Sequence, residues 1–180
     1  VFEEISELCV AARNAMINGF GKNGDMVSAN ILFESMPARD VVSWTSVING
    51  FRRNGYFTEG IWFFKMMVNY EDEIGCFVKP NEATYVSVFS LCANLDGSGS
   101  IYWGKQIHGH VIRNTIELTA FLGTALVDLY GKTGCLNSAR YVYQQVVVKE
   151  VCTWNAMISA LSLNGKEKEA LDLFEKMKIE

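Results

Sequence analysis

Proline is nearly missing from this 180-residue chain, which holds only Pro37 and Pro80. That excludes a proline-rich rod and leaves long stretches open to helix. Histidine is equally scarce, with His108 and His110 alone. Cys9, Cys76, Cys92, Cys135 and Cys152 form no Cys-x-x-Cys pair. A zinc ribbon or finger is therefore excluded, and no metal or other cofactor is expected. An odd number of widely spaced cysteines argues against a disulfide framework and for small buried thiols in a reducing compartment. No apolar run reaches the roughly 20 residues needed to cross a bilayer without meeting charge. Basic residues are not in excess: 16 Lys and Arg stand against 20 Asp and Glu, a net charge of −4. Bulk electrostatic capture of a polyanion is excluded, although a neutral surface with a few placed cations is not. The chain has no initiator Met, signal peptide or transit peptide, and it opens at Val1 in mid-element, as a segment of a longer protein would.

Signs of catalysis are also missing. Gly97 and Gly99 lack the following Lys-Ser/Thr of a phosphate loop. The zinc-deaminase pattern H-x-E followed by P-C-x-x-C is not found. His108 and His110 stand two residues apart and do not share a helix face, which gives them a structural or surface role. No catalytic residue is expected.

What the chain does contain is repetition. "VVSWTSVINGFRRNG" at 41–55 lies over "VCTWNAMISALSLNG" at 151–165; residue 151 against residue 41 is an offset of 110. At the same offset "NAMINGFGKNGDMVSANILF" (14–33) lies over "TALVDLYGKTGCLNSARYVY" (124–143). A shorter offset of about 31 also aligns residues 14–24 with 45–55, and 124–134 with 155–165. Periods of 20–50 residues mark solenoids and arrays. The unit starts are Val10, Val41, Glu82, Ala120 and Val151, and residues 1–9 read as the end of a preceding unit.

Within a unit the apolar residues follow a helical period. Trp44, Val47, Ile48 and Phe51 fall at i, i+3, i+4 and i+7. A break follows at Asn54-Gly55, matching Asn23-Gly24, Thr133-Gly134 and Asn164-Gly165, where Gly suits the left-handed residue that closes a helix. A second amphipathic run carries a small residue (Ala29, Gly60, Ala139, Ala170) and then an aromatic one (Phe33, Phe64, Tyr143, Phe174). Pro37 and Pro80 sit at unit joints. Each unit is thus a helix–turn–helix hairpin that buries its apolar faces only against neighbours. The expected fold is all-α, a right-handed α-solenoid of stacked helix-turn-helix repeats. Two stretches break register, Asn69–Phe77 and Asn94–Gly104, and both are expected as surface loops. Tyr70–Glu73 reads as solvated loop. Trp44 and Trp154 sit in the core register and are assigned to packing.

These quoted stretches, with "GKQIHGHVIRN", resemble pentatricopeptide repeats, over nearly the whole chain. The alternating unit lengths are similar to the plant PLS subclass: 10–40 and 120–150 resemble short units, 41–81 and 151–180 standard ones, and 82–119 a long one. The resemblance implies an organellar protein, of mitochondrion or chloroplast, that binds single-stranded RNA at about one base per unit and specifies a processing or C-to-U editing site. It implies that the fifth and last residues of each unit read the base: Asn14 with Asp40 (uracil), Thr45 with Asn81 (adenine), Val86 with Thr119 (no preference), Thr124 with Glu150 (purine), and Asn155 with a partner past Glu180 (pyrimidine). It assigns second residues Ala11, Val42, Ala83, Phe121 and Cys152 to packing on base faces. A cation recurs at the thirteenth place, Lys22, Arg53 and Lys132, within reach of phosphates or of the helix C-terminal dipole. The long unit would bind editing accessory proteins through Gln106, Ile107 and Val111. The competing reading is a protein-binding scaffold of the tetratricopeptide kind. Its steady 34-residue period fits the 31-residue units poorly.

Overall fold

A computed structural model of the chain describes residues 2–71 and 77–179. Ten helices are found among the described residues: α1 Phe2–Lys22, α2 Met26–Glu34, α3 Val41–Arg53, α4 Phe57–Val68, α5 Glu82–Ala93, α6 Gly99–Arg113, α7 Ala120–Lys132, α8 Leu136–Gln145, α9 Val151–Leu163 and α10 Glu167–Met177. The β pairing among these residues is one isolated antiparallel bridge between Glu71 and Phe77. It pins the flanks of the insertion read at Asn69–Phe77; residues 72–76, with Cys76 and most of the Tyr70–Glu73 stretch, lie outside the described residues. The chain divides into two compact units, Val1–Leu91 and Cys92–Glu180, with the division falling inside α5.

In the first unit α1/α2 and α3/α4 form consecutive hairpins, closed at Gly24 (φ 84°) and Gly55 (φ 77°). A side chain there would be strained by about 1 kcal/mol or more. The core of this unit is aromatic. Phe33 meets Trp44 edge-on at 4.8 Å, and Phe63 lies 5.8 Å from Phe33 and 4.9 Å from Phe51. Such pairs each contribute about 0.5–1.5 kcal/mol beyond the area they bury. The Arg39 guanidinium lies 4.9 Å over the Phe33 ring and donates to the carbonyls of Phe33 and Glu34, closing the C-terminus of α2. Helices α1 and α3 cross closely: a Cβ on Gly21 would come within 3.0 Å of the Gly50 Cα. Asn54, just past α3, holds the crossing by donating to the carbonyls of Gly21 and Gly50, both at 2.8 Å.

The second unit repeats these devices with other residues. Tyr143 meets Trp154 edge-on at 5.7 Å, and the Lys149 ammonium lies 5.1 Å over the Tyr143 ring. Helices α7 and α9 cross at Gly131 and Ala160, where a Cβ on Gly131 would come within 2.5 Å of the Ala160 Cβ. Asn164 donates to Gly131 and Ala160 at 2.9 and 2.7 Å. Trp44 and Trp154 are both buried, in the core register.

Two boundaries differ from the sequence reading. Helix α1 runs without a break through the unit start placed at Val10. The residue before that start is Cys9, whereas Asp40 and Thr119 cap the helices beginning at Val41 and Ala120. The segment 2–9 has no Gly or Pro to stop a helix and no capping residue directly before Val10, so the helix continues. The insertion at Asn94–Gly104 is not a loop throughout. The turn is confined to residues 94–98, and Gly99–Gly104 form the first turns of α6. Gly104 is there for packing: a Cβ would come within 2.6 Å of Leu129.

Candidate nucleic-acid interface

The first reading pair is brought together. Asn14, on α1, is 6% exposed, and its Nδ2 donates to Asp40 Oδ1 at 3.1 Å. Asp40 is the N-cap of α3: its Oδ1 also accepts from the Ser43 backbone N–H at 2.7 Å and the Ser43 hydroxyl at 2.8 Å. The Ser43 hydroxyl in turn accepts from the Asp40 backbone N–H, completing a capping box. Partial burial pulls the Asp40 carboxyl upward, but the hydrogen bonds from Ser43, Asn14 and the Val42 backbone outweigh it and hold the group below its ordinary value. Asn14 Oδ1 is buried with no hydrogen-bond partner. An open groove of about 630 Å³ is lined by Ala11, Asn14, Asn18, Asp40, Val42 and Ser46, among others. Four residues proposed from sequence, the pair Asn14 and Asp40 and the second-position residues Ala11 and Val42 of two successive units, thus line one cleft.

The second pair meets through an intermediary. The Thr45 hydroxyl, on α3, lies 2.7 Å from the Thr84 hydroxyl, which lies 2.9 Å from Asn81 Oδ1. Asn81 precedes α5 and caps it by accepting from the Thr84 backbone N–H at 3.0 Å. Of the third pair, Val86 is half-buried on α5 in the first unit, and Thr119 caps α7 in the second by accepting from Leu122 N. In the fourth pair the Thr124 hydroxyl donates to the Ala120 carbonyl at 2.7 Å and lies 3.0 Å from the Thr153 hydroxyl. Glu150 is the N-cap of α9, but its side chain makes no cap hydrogen bond. Asn155 is exposed on α9. The second-position residues reach the surface: Ala11, Val42, Ala83 and Phe121 are exposed and Cys152 is half-buried.

Lys22 and Arg53 are exposed in the last turns of α1 and α3. Lys132 is exposed as well and pairs with Asp128 at 2.9 Å. Such a surface pair contributes little and yields readily to a phosphate. Ile107 and Val111 correct the docking surface expected on α6. They are 5% and 3% exposed, because they stand one turn apart on the apolar stripe that α6 buries, and only Gln106 of the three reaches solvent. His108 Nδ1 lies 2.8 Å from the Tyr130 hydroxyl. Burial holds the imidazole below its ordinary value and pushes the phenol up to about 12. Among the described residues no group of three or more His, Cys, Asp and Glu is placed to hold a metal. A second cavity of about 660 Å³ lies among α8, α9 and α10 beside Trp154. It holds none of the proposed residues, and its Arg140 and Glu169 pair with each other at 2.6 Å.

The sequence reading missed Ser43, Thr84 and Thr153, the third residues of their units. The signal was available: Asp40-x-x-Ser43 and Asn81-x-x-Thr84 have the spacing of a capping box.

The family model described as PPR repeat matches residues 12–41, 42–71 and 152–180. A putative pentatricopeptide repeat-containing protein of Arabidopsis thaliana is 48% identical over 178 residues, covering 99% of this chain and 37% of the relative. Another from the same plant is 33% identical over 177 residues, covering 98% of this chain and 28% of the relative. The chain belongs to the pentatricopeptide repeat family. It spans about a third of the length of these two relatives. The crystal structure of the pentatricopeptide repeat protein PPR10 from maize matches with a TM-score of 0.70 at 20% identity, over 92% of this chain and 23% of that one. PPR10 in complex with an 18-nt psaJ RNA element matches at 0.69 and 20% identity, over 99% and 26%. The fold is therefore the helical-repeat α-solenoid of that family. The family matches at 42 and 152 begin one residue after the unit starts at Val41 and Val151, and they keep the 110-residue offset.

Proposed function

We propose that this pentatricopeptide chain is a run of RNA-reading repeats, binding single-stranded RNA at about one nucleotide per repeat, and that it does no chemistry itself. In chain order, 5′ to 3′, it reads uracil at Asn14/Asp40, adenine at Thr45/Asn81, any base at Val86/Thr119, a purine at Thr124/Glu150 and a pyrimidine at Asn155. Ala11, Val42, Ala83, Phe121 and Cys152 pack on base faces, and Lys22, Arg53 and Lys132 meet phosphates. The wider reading is an organellar protein of the PLS subclass whose longer array marks an RNA processing or C-to-U editing site. A relative 31% identical over 173 residues carries a chloroplastic name.

One observation carries the reading. Asp40 is a carboxylate and only accepts, so the Asn14 amide must turn Nδ2 toward it. That leaves Oδ1 buried and unpartnered at a residue lining the open groove. A buried acceptor without a donor costs about 1–3 kcal/mol, which a ligand N–H recovers. Uracil offers N3–H there. Cytosine offers a lone pair at the same atom, and flipping the amide to suit it would break the bond to Asp40.

The test is binding of this chain to oligonucleotides that differ at one base. Replacing the matched uracil with cytosine is expected to cost about 1–3 kcal/mol. Asn14→Ala should relax that preference. Lys22→Ala should weaken all sequences alike and lower the salt slope by about 1. No retention on single-stranded RNA at low salt, or an equal loss on every sequence with both variants, defeats the reading in favour of a protein-binding scaffold.

A further inference from the structure

Each junction with a polar fifth residue contains a buried hydroxyl from the third residue of the next repeat. Ser43, Thr84 and Thr153 are all 0% exposed. Ser43 lies 2.8 Å from Asp40 Oδ1, Thr84 lies 2.7 Å from Thr45 and 2.9 Å from Asn81, and Thr153 lies 3.0 Å from Thr124. The apolar fifth residue, Val86, is followed by a repeat whose third residue is Leu122. Polar reader and hydroxyl are lost from the sequence together. Helix capping alone does not require that, since Thr119 caps α7 through the Leu122 backbone N–H.

Counting protons at the second junction shows what the hydroxyl does. Three short contacts run in series: Val41 O to Thr45 Oγ1 at 2.7 Å, Thr45 Oγ1 to Thr84 Oγ1 at 2.7 Å, and Thr84 Oγ1 to Asn81 Oδ1 at 2.9 Å. Val41 O and Asn81 Oδ1 only accept, and the two hydroxyls supply one proton each. Two protons can serve three contacts in three arrangements: with both hydroxyls donating outward the Thr45–Thr84 contact carries no proton, and the remaining two couple the hydroxyls. In one, Thr84 donates to Thr45 and Thr45 to Val41 O, which frees a lone pair on Asn81. In the other, Thr45 donates to Thr84 and Thr84 to Asn81, which frees lone pairs on Thr45. A base N–H arriving at either reader selects the arrangement that suits it, so the two readers respond as one.

We propose that the third residue of the following repeat is a positioning residue of each reading site, coupling the hydrogen-bonding atoms that the fifth and last residues offer to the base. This rests on the RNA reading above and deepens it. The experiment measures this chain against oligonucleotides carrying all four bases at the nucleotide matched to Thr45/Asn81, and separately at the one matched to Asn14/Asp40. Thr84→Val is expected to cut discrimination at its own nucleotide by about three- to tenfold, the size of one net hydrogen bond. Discrimination at the neighbouring nucleotide should stay unchanged, and Thr84→Ser should restore the native ranking. Ser43→Ala makes the same test at the first nucleotide, should Thr84→Val not fold. The proposal is overturned, with the RNA reading intact, if Thr45→Ala and Asn14→Ala relax base preference while Thr84→Val and Ser43→Ala keep it. Equal weakening on all sequences by the third-residue variants reveals a purely structural role and also overturns it. If Asn14→Ala and Thr45→Ala leave the ranking untouched, the RNA reading fails and this inference fails with it.

Discussion

The region from α1 to α3 and the region from α7 to α9 carry the same sequence pattern 110 residues apart, yet they copy it unequally. The framework is kept. Phe33/Trp44 becomes Tyr143/Trp154, Arg39 becomes Lys149, Gly21/Gly50 becomes Gly131/Ala160, and Asn54 becomes Asn164. The groove residues diverge. Asn14 is bound directly to Asp40, which also caps α3, whereas Thr124 bonds to Thr153 and Glu150 leaves α9 without a side-chain cap. Stacking needs every copy to present the same shape to its neighbour, while a reading surface needs the copies to differ. The kept residues are those that pack one repeat on the next, and the changed ones fall at the proposed reading positions.

The sharpest test of equal framework is the aromatic pair. Phe33 is 2% exposed and touches both Trp44 and Phe63, while Tyr143 is half-buried and meets Trp154. Phe33→Ala is expected to cost about 3–5 kcal/mol and Tyr143→Ala about 2 kcal/mol, read from urea midpoints. Equal losses would mean that the two cores bear equal load and that burial is a poor guide here. The helix crossings give a smaller contrast. Alanine at Gly131 would face the Ala160 Cβ at 2.5 Å and its Cα at 2.9 Å, with backbone unable to withdraw. Alanine at Gly50 would meet the Met26 Sδ at 2.8 Å, the flexible end of a side chain. Gly131→Ala should cost about 2 kcal/mol. Gly50→Ala should come close to neutral, because Ala recovers up to about 1 kcal/mol of helix propensity. A Gly50→Ala loss as large as that of Gly131→Ala would show that Met26 is locked in place.

The hairpins were readable in sequence because a stripe at i, i+3, i+4 and i+7 that ends in Asn-Gly or Thr-Gly has one physical solution, a helix closed by a left-handed residue. Gly24, Gly55, Gly134 and Gly165 all take that conformation. What periodicity does not report is which stripe the fold itself covers, so Ile107 and Val111 suit a partner surface in sequence although both are buried within the chain. Glycine misled for a similar reason. Gly99 and Gly104 look like turn residues, yet Gly104 lies within a helix to let Leu129 approach. The pairing of Asn14 with Asp40 was legible through the family resemblance, and the two side chains meet at 3.1 Å. Ser43, Thr84 and Thr153 are less visible, because the capping-box spacing that marks Asp40-x-x-Ser43 and Asn81-x-x-Thr84 crosses the joint between units and is cut when units are aligned one at a time.

The smallest expected effect bears most directly on the comparison, since it concerns the two last-position acids. Asp40 accepts from the Ser43 N–H at helix position N3, and Asp is among the strongest N-cap residues. Glu has one methylene too many for the same ring and leaves the first turn of α9 without that bond. Glu150→Asp is expected to stabilise the chain by about 1 kcal/mol and Asp40→Ala to destabilise it by about 1–2 kcal/mol. The pH dependence separates a cap from mere bulk. The Asp40 carboxyl is held below its ordinary value of 3.8 in the folded chain. Its contribution is then complete above the unfolded-state value and is lost as pH falls through the lower folded value. Thermal midpoints of the native chain and Asp40→Ala should stay apart at neutral pH and draw together below about pH 4. If the gap between them stays constant down to pH 2, the Asp40 charge does not hold this helix end, and the contrast with Glu150 is one of shape alone.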